Sequence, residues 1–291
     1  MEQIAAADRR RVVVLLIAAA IGLVAFAVIY VVMVRTAAGQ RLDDTAVAGR
    51  VFASARVREG TGRLLGTISV SSLAAAGLLL MTIALFRGRW RLAIGAGVLV
   101  FGSTLLAEIF KHVLLQRPHL IAEPPQVLDN SFPSGHTAIA ASLGLALVLV
   151  TPRHRRVLAA IAGFLYSLLL GVGVLAAGWH RPSDPMGSIC LVFSVSCLVA
   201  AGLVVWRGGV RRTTWVVAPS PVWWRLVVAG LVAAVPVVVL ARTFVGRHPQ
   251  LVLSTVGRRF TLATLSIGGF CLVAFVAFVI LLRGVTLDHP D

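Results

Sequence analysis

Apolar residues run along this chain in long blocks separated by short polar segments, and within each block every helical face is apolar. Eight blocks recur, at residues 12–34, 64–86, 92–115, 134–150, 157–178, 185–206, 223–244 and 260–282. Crossing a bilayer core takes about 20 residues of helix. The polar/apolar alternation of a barrel strand is absent from these blocks. Hydrocarbon leaves no water for backbone N–H and C=O groups, so a helix that satisfies them internally is the state each block predicts. The fold class expected is all-α, a polytopic membrane helix bundle. Residues 1–206 carry six helices and read as a core; residues 207–291 add two C-terminal helices.

The segments between blocks are less regular. Residues 35–63 form a long connector with Asp43, Asp44, Arg50, Arg56 and Arg58. Its loosely spaced apolar residues fit a helix lying on the membrane surface, or a flexible loop. Residues 116–133 hold Pro118, Pro124, Pro125 and Pro133 and read as a loop. Arg9, Arg10 and Arg11 precede the first block as they would in a secretion signal, but the block is too long for one, so a retained first helix is expected.

Composition narrows the class further. The chain is 58% hydrophobic and 13% charged, too apolar for a soluble domain and too poor in charge for a disordered one. Lys and Arg number 27 against 11 Asp and Glu. The basic residues sit mostly in short loops, such as Arg87, Arg89 and Arg91, or Arg153, Arg155 and Arg156. That placement reads as topology signalling and contact with membrane lipids rather than nucleic-acid binding. With these dense clusters inside, an even number of spans returns both termini to the inner side of the cell membrane. Cys190, Cys197 and Cys271 lie inside apolar blocks without CxxC spacing, which argues against disulfides and zinc.

Polar and ionisable residues at block ends are functional candidates. One cluster is Glu108, Lys111, His112, Arg117, Pro118 and His119. A second runs from Ser131 to Thr137, and a third from Trp179 to Asp184. The expected topology puts all three on the outer face. Their chemistry fits a phosphate. Lys111 and Arg117 supply fixed positive charge, and arginine can grip two phosphate oxygens. Ser134 and Gly135 open a helix whose free N–H groups attract an anion. His136 and His180 can act as nucleophile and acid near neutral pH. Asp184, four residues after His180, can orient its imidazole. No Cys, His or carboxylate set has metal-ligand spacing, so neither metal nor cofactor is expected. Each residue also has a structural reading: Ser134 and Asp184 as helix caps, Lys111 and Arg117 as snorkelling anchors, Glu108 as the partner of Lys111 or His112.

In this order the clusters resemble the type-2 phosphatidic acid phosphatase superfamily, whose membrane members carry K-x6-RP, PSGH and SR-x5-H-x3-D motifs. Pro133-Ser134-Gly135-His136 matches the middle motif in full. Lys111 and Arg117-Pro118 match the first, with five intervening residues in place of six. His180 and Asp184 match the end of the third, but Gly173 and Val174 stand where the Ser-Arg pair belongs. The resemblance implies metal-independent hydrolysis of a lipid phosphate, with His180 as nucleophile, Asp184 orienting it and His136 as acid and base. Lys111, Arg117, Ser134 and Gly135 would hold the phosphate. Arg181 is the candidate to replace the missing arginine, with His119 second; the plainer reading turns Arg181 toward the headgroups. A phosphotransferase with the same histidines and a non-catalytic lipid-binding, transport or scaffolding protein are the alternatives.

Overall fold

A computed structural model describes residues 2–52, 70–123, 130–206 and 254–284, together with a few positions between 59 and 66 and Gln126–Val127. The described residues form an all-α bundle. α1 is Glu2–Ile29, prolonged by a widened turn to Val34, and α2 is Ala37–Ala48. α3 is Val70–Phe86, α4 is Trp90–Leu114 and α5 is Gly135–Val150. α6 is Arg156–Ala176, α7 is Ser183–Trp206 and α8 is Thr255–Leu281. Five helical stretches among the described residues are long and apolar enough to cross a membrane: Arg9–Val34, Trp90–Leu114, Arg153–Ala176, Ser183–Trp206 and Thr255–Leu281. Ala75–Phe86 and Gly135–Val150 are shorter apolar helices. The chain is thus a multi-pass membrane protein. The helix expected at 223–244 lies outside the described residues.

α7 is the central helix. Of its most apolar window 72% is buried, against 22% for α1. α1 packs along α7, with Gly22 against Cys190, Phe193 and Ser194, and leaves Ile17, Ile21 and Val24 exposed. That exposed face is what a lipid-facing helix presents. α5 and α6 meet more closely than side chains would allow. A Cβ on Gly144 would lie 2.8 Å from the Gly163 Cα and 2.7 Å from the Phe275 ring. Two glycines therefore let the backbones touch, and Phe275 of α8 fills the groove above them.

α8 belongs to the same bundle. It packs on α2, α6 and α7, and Arg156 donates to the Leu282 carbonyl at 2.8 Å, satisfying a C-terminal acceptor of α8. Two turns of α4 widen to i→i+5 spacing, Val98–Gly102 and Phe110–Leu114. The second carries Lys111 and ends the helix, since Leu115 is extended. Arg117 therefore lies beyond the helix, where the shortened spacing to Lys111 is absorbed by loop rather than by a 100° turn of helix.

α2 occupies part of the long connector. Thr36 caps it, its hydroxyl accepting from the Gly39 N–H at 3.0 Å. Its buried face carries polar side chains, Gln40, Asp43 and Asp44, beside Ala46 and Val47. A helix resting on lipid would bury its apolar face instead.

Candidate functional site

The site forms where α4, α5, α6 and α7 end on one side of the bundle. Ser134 is the N-cap of α5, its hydroxyl accepting from the Thr137 N–H. The Ser134 N–H donates to the Asp184 carbonyl at 3.2 Å, and the Ser188 hydroxyl donates to the Ser134 carbonyl at 2.8 Å. The starts of α5 and α7 are thereby bonded to one another, which brings His136 and His180 together. Their ring centroids are 6.4 Å apart, and Trp179 lies 5.4 Å from the His136 ring.

His180 is buried, and its Nδ1 lies 3.2 Å from Asp184 Oδ2. Donation from Nδ1 to the carboxylate leaves Nε2 without a proton, the form a nucleophilic imidazole needs. The same Oδ2 accepts from the Arg181 N–H at 2.9 Å. Asp184 is fully buried, and the Ser183 and Ser131 hydroxyls also donate to its carboxylate.

Lys111 reaches the start of α5. Its Nζ lies 3.5 Å, and Glu108 Oε1 2.5 Å, from where a Cβ on Gly135 would stand, so this glycine leaves room for an ion pair. Lys111 donates to Glu108 at 2.9 Å, and the His112 ring lies 3.1 Å from the other Glu108 oxygen. Asn130 donates to the Lys111 and Leu115 carbonyls, closing the end of α4 against the loop that leads to Ser134.

The connector supplies residues that the motif pattern does not contain. Arg117 donates to Asp43 at 3.3 Å, while its Nη1 is buried without a hydrogen-bond partner among the described residues. Asp43 also accepts from the Ser183 backbone N–H and hydroxyl. Gln40 donates to the Val34 and Pro118 carbonyls and accepts from the Leu120 N–H, fixing the loop that carries Arg117. Burial, reinforced by the neighbouring charge of Asp184, raises the Asp43 carboxyl to about 7. Ser183 and Arg117 pull in the opposite direction and do not offset it.

Arg181 is 2% exposed, too buried for a headgroup anchor. Its guanidinium donates to Asp44 at 2.7 Å, to Ser131 at 3.3 Å and to the Val127 carbonyl at 2.6 Å. Val174, where the resemblance calls for an arginine, is fully buried among Leu65, Ala140 and Leu170. His119 is exposed. Among the described residues, no group of three or more His, Cys, Asp or Glu is placed to hold a metal ion. One signal for the missed residues was present in the sequence: Asp43 and Asp44 are adjacent acids in a chain with only 11 Asp and Glu.

A bundle of membrane helices whose ends gather two histidines, a buried aspartate and several basic side chains describes a membrane protein with a polar site at one end of its bundle. A family model described as the PAP2 superfamily matches residues 90–204, from the first turn of α4 almost to the end of α7. α1, α2, α3 and α8 lie outside the matched stretch. No curated protein and no solved structure matches the chain.

Proposed function

We propose that this protein hydrolyses a lipid-linked phosphate or diphosphate at the outer membrane face. The observation that carries the reading is the His180–Asp184 contact at 3.2 Å, with the His136 ring 6.4 Å away between centroids. In the first step His180 Nε2 attacks phosphorus and the bond from phosphorus to the lipid oxygen breaks. Protonated His136 gives its proton to that oxygen, so the lipid leaves as a neutral alcohol or, from a diphosphate, as a protonated phosphate. In the second step neutral His136 takes a proton from water as the water oxygen attacks phosphorus. The bond from phosphorus to His180 breaks, and inorganic phosphate leaves.

Asp184 holds the attacking ring and stabilises its positive charge while phosphorus is attached. Lys111, Arg117 and the Gly135 N–H at the start of α5 hold the non-bridging oxygens, on which charge accumulates in transfer. The unpartnered Nη1 of Arg117 supports this, because a buried donor without an acceptor is costly unless a ligand supplies one. Arg181 serves through its backbone bond to Asp184 and its side-chain bond to Asp44. The chemistry needs no metal, and EDTA should leave turnover intact.

The test is phosphate release from a panel of lipid phosphates by purified protein. His180→Ala should abolish it, since triad-type residues each contribute on the order of 10⁴-fold or more. His136→Ala should slow release severely and allow a phosphorylated intermediate to accumulate when the leaving group is good. His180→Ala activity above about a tenth of wild type is incompatible with covalent catalysis on this residue.

A further inference from the structure

The charge around His180 is nearly all compensated. Lys111 is paired with Glu108 and Arg181 with Asp44, and Arg117 lies against Asp43, which compensates it where that carboxyl is ionised. A phosphoryl group in transfer spreads negative charge over three equatorial oxygens, and paired cations meet it only in part. One guanidinium of the connector, which meets Gly178 two residues before His180, differs. Arg50, in the Gly49–Phe52 turn that follows α2, lies against the turn that leads into His180. It donates to the Gly178 carbonyl at 3.4 Å, a long bond, and has no carboxylate partner among the described residues.

The turn is shaped to receive it. Gly178 has φ +73°, a conformation glycine adopts freely. A Cβ there would lie 1.7 Å from Arg50 Nη1 and 2.6 Å from its Cζ, so the guanidinium occupies the space a side chain would fill. Trp179, the next residue, touches the His136 ring, and His180 follows. The turn carrying Arg50 is also anchored from both sides. Asp43 and Asp44 hold α2 to Ser183, Arg117 and Arg181. On the far side, Arg259 of α8 donates to Thr45 at 2.8 Å, and Gly49 sits against Phe260.

We propose that Arg50 is a phosphate-binding residue of this site, delivered by the connector to the Gly178 turn and left uncompensated so that substrate phosphate supplies its counter-charge. The proposal rests on the phosphate reading of the site. It also gives the connector and α8 a role: they place a cation that α4 to α7 do not provide.

The experiment uses the full chain in detergent. Arg50→Gln keeps a donor for the Gly178 carbonyl and removes the charge, and Arg50→Lys restores charge without the planar fork. Two quantities are read, kcat/KM for lipid phosphate and the affinity for inorganic phosphate. The exposed Arg41 on the same connector is the control, as Arg41→Gln.

Arg50→Gln should melt like wild type, lose about a hundredfold in kcat/KM and bind inorganic phosphate at least about tenfold more weakly. Arg50→Lys should recover part of the phosphate affinity. Arg41→Gln should stay within about fivefold on both readouts, as an exposed charge does. Phosphate affinity of Arg50→Gln within tenfold of wild type overturns the proposal, as does equal loss in Arg50→Gln and Arg41→Gln. If the wild type binds phosphate without turning over any lipid phosphate, the hydrolase reading fails while the affinity comparison still decides Arg50. A wild type that does neither removes both.

Discussion

Asp43 shows how a buried carboxylate records its surroundings. Its ordinary value of 3.8 rises to about 7 because burial and the charge of Asp184 outweigh the pull of Ser183 and Arg117. Between those values the folded protein holds a proton that the unfolded chain has released. The stability this group contributes is fully present below about pH 4 and is lost as pH rises to about 7. Asp43→Asn removes the titration while keeping the shape. Wild type and variant should therefore melt alike near pH 4, with the variant increasingly the more stable up to about pH 7 and a constant gap above. Thermal melts of both proteins across that range check it. Parallel curves would show that Asp43 is charged throughout, held by Arg117.

At the scale of elements, the α5–α6 contact depends on two glycines and one phenylalanine. Neither Gly144 nor Gly163 has room for a methyl, and what each would meet includes backbone, which gives little. Gly144→Ala and Gly163→Ala should each cost about 1–3 kcal/mol through overpacking. Gly269, on α8, has open space around it. Gly269→Ala should be neutral, or stabilising by up to about 1 kcal/mol from helix propensity. Melting temperatures of the three variants in one detergent distinguish the two cases. Equal behaviour would mean that α5 and α6 do not touch as described. The apolar pattern made the helices themselves legible, but each such block is apolar all round, so it does not say which face meets which neighbour.

The whole molecule raises the question of sidedness. The positive-inside bias of the arginine clusters leads us to expect the 153–155 turn on the inner side and the 116–133 loop on the outer side. Glu123 and His154 are exposed on these two segments, and the native cysteines are buried. Cysteine at Glu123 should react with a membrane-impermeant maleimide on intact cells, and cysteine at His154 only after permeabilisation. The reverse pattern would put the histidine site on the cytoplasmic face.

What the sequence determined by itself was local. Long apolar blocks specify helices because lipid offers no other way to satisfy the backbone. His180 stands in the turn before α7 and Asp184 in the first turn of α7, four residues on, a separation short enough for the two side chains to meet locally. Ser134 likewise caps its own helix. The tertiary structure decided everything that links distant segments. Arg181 reads from sequence as a phosphate or headgroup contact, and in the fold it is buried against Asp44, 137 residues away. Asp43 meets Ser183 across 140 residues, and Arg50 meets Gly178 across 128. The connector's apolar spacing fitted a surface helix or a loop, whereas α2 buries its acids against the bundle. Periodicity reports only which residues share a face of one element. A buried ion pair forms only where packing brings opposite charges together and excludes water, and that is a property of the assembled bundle.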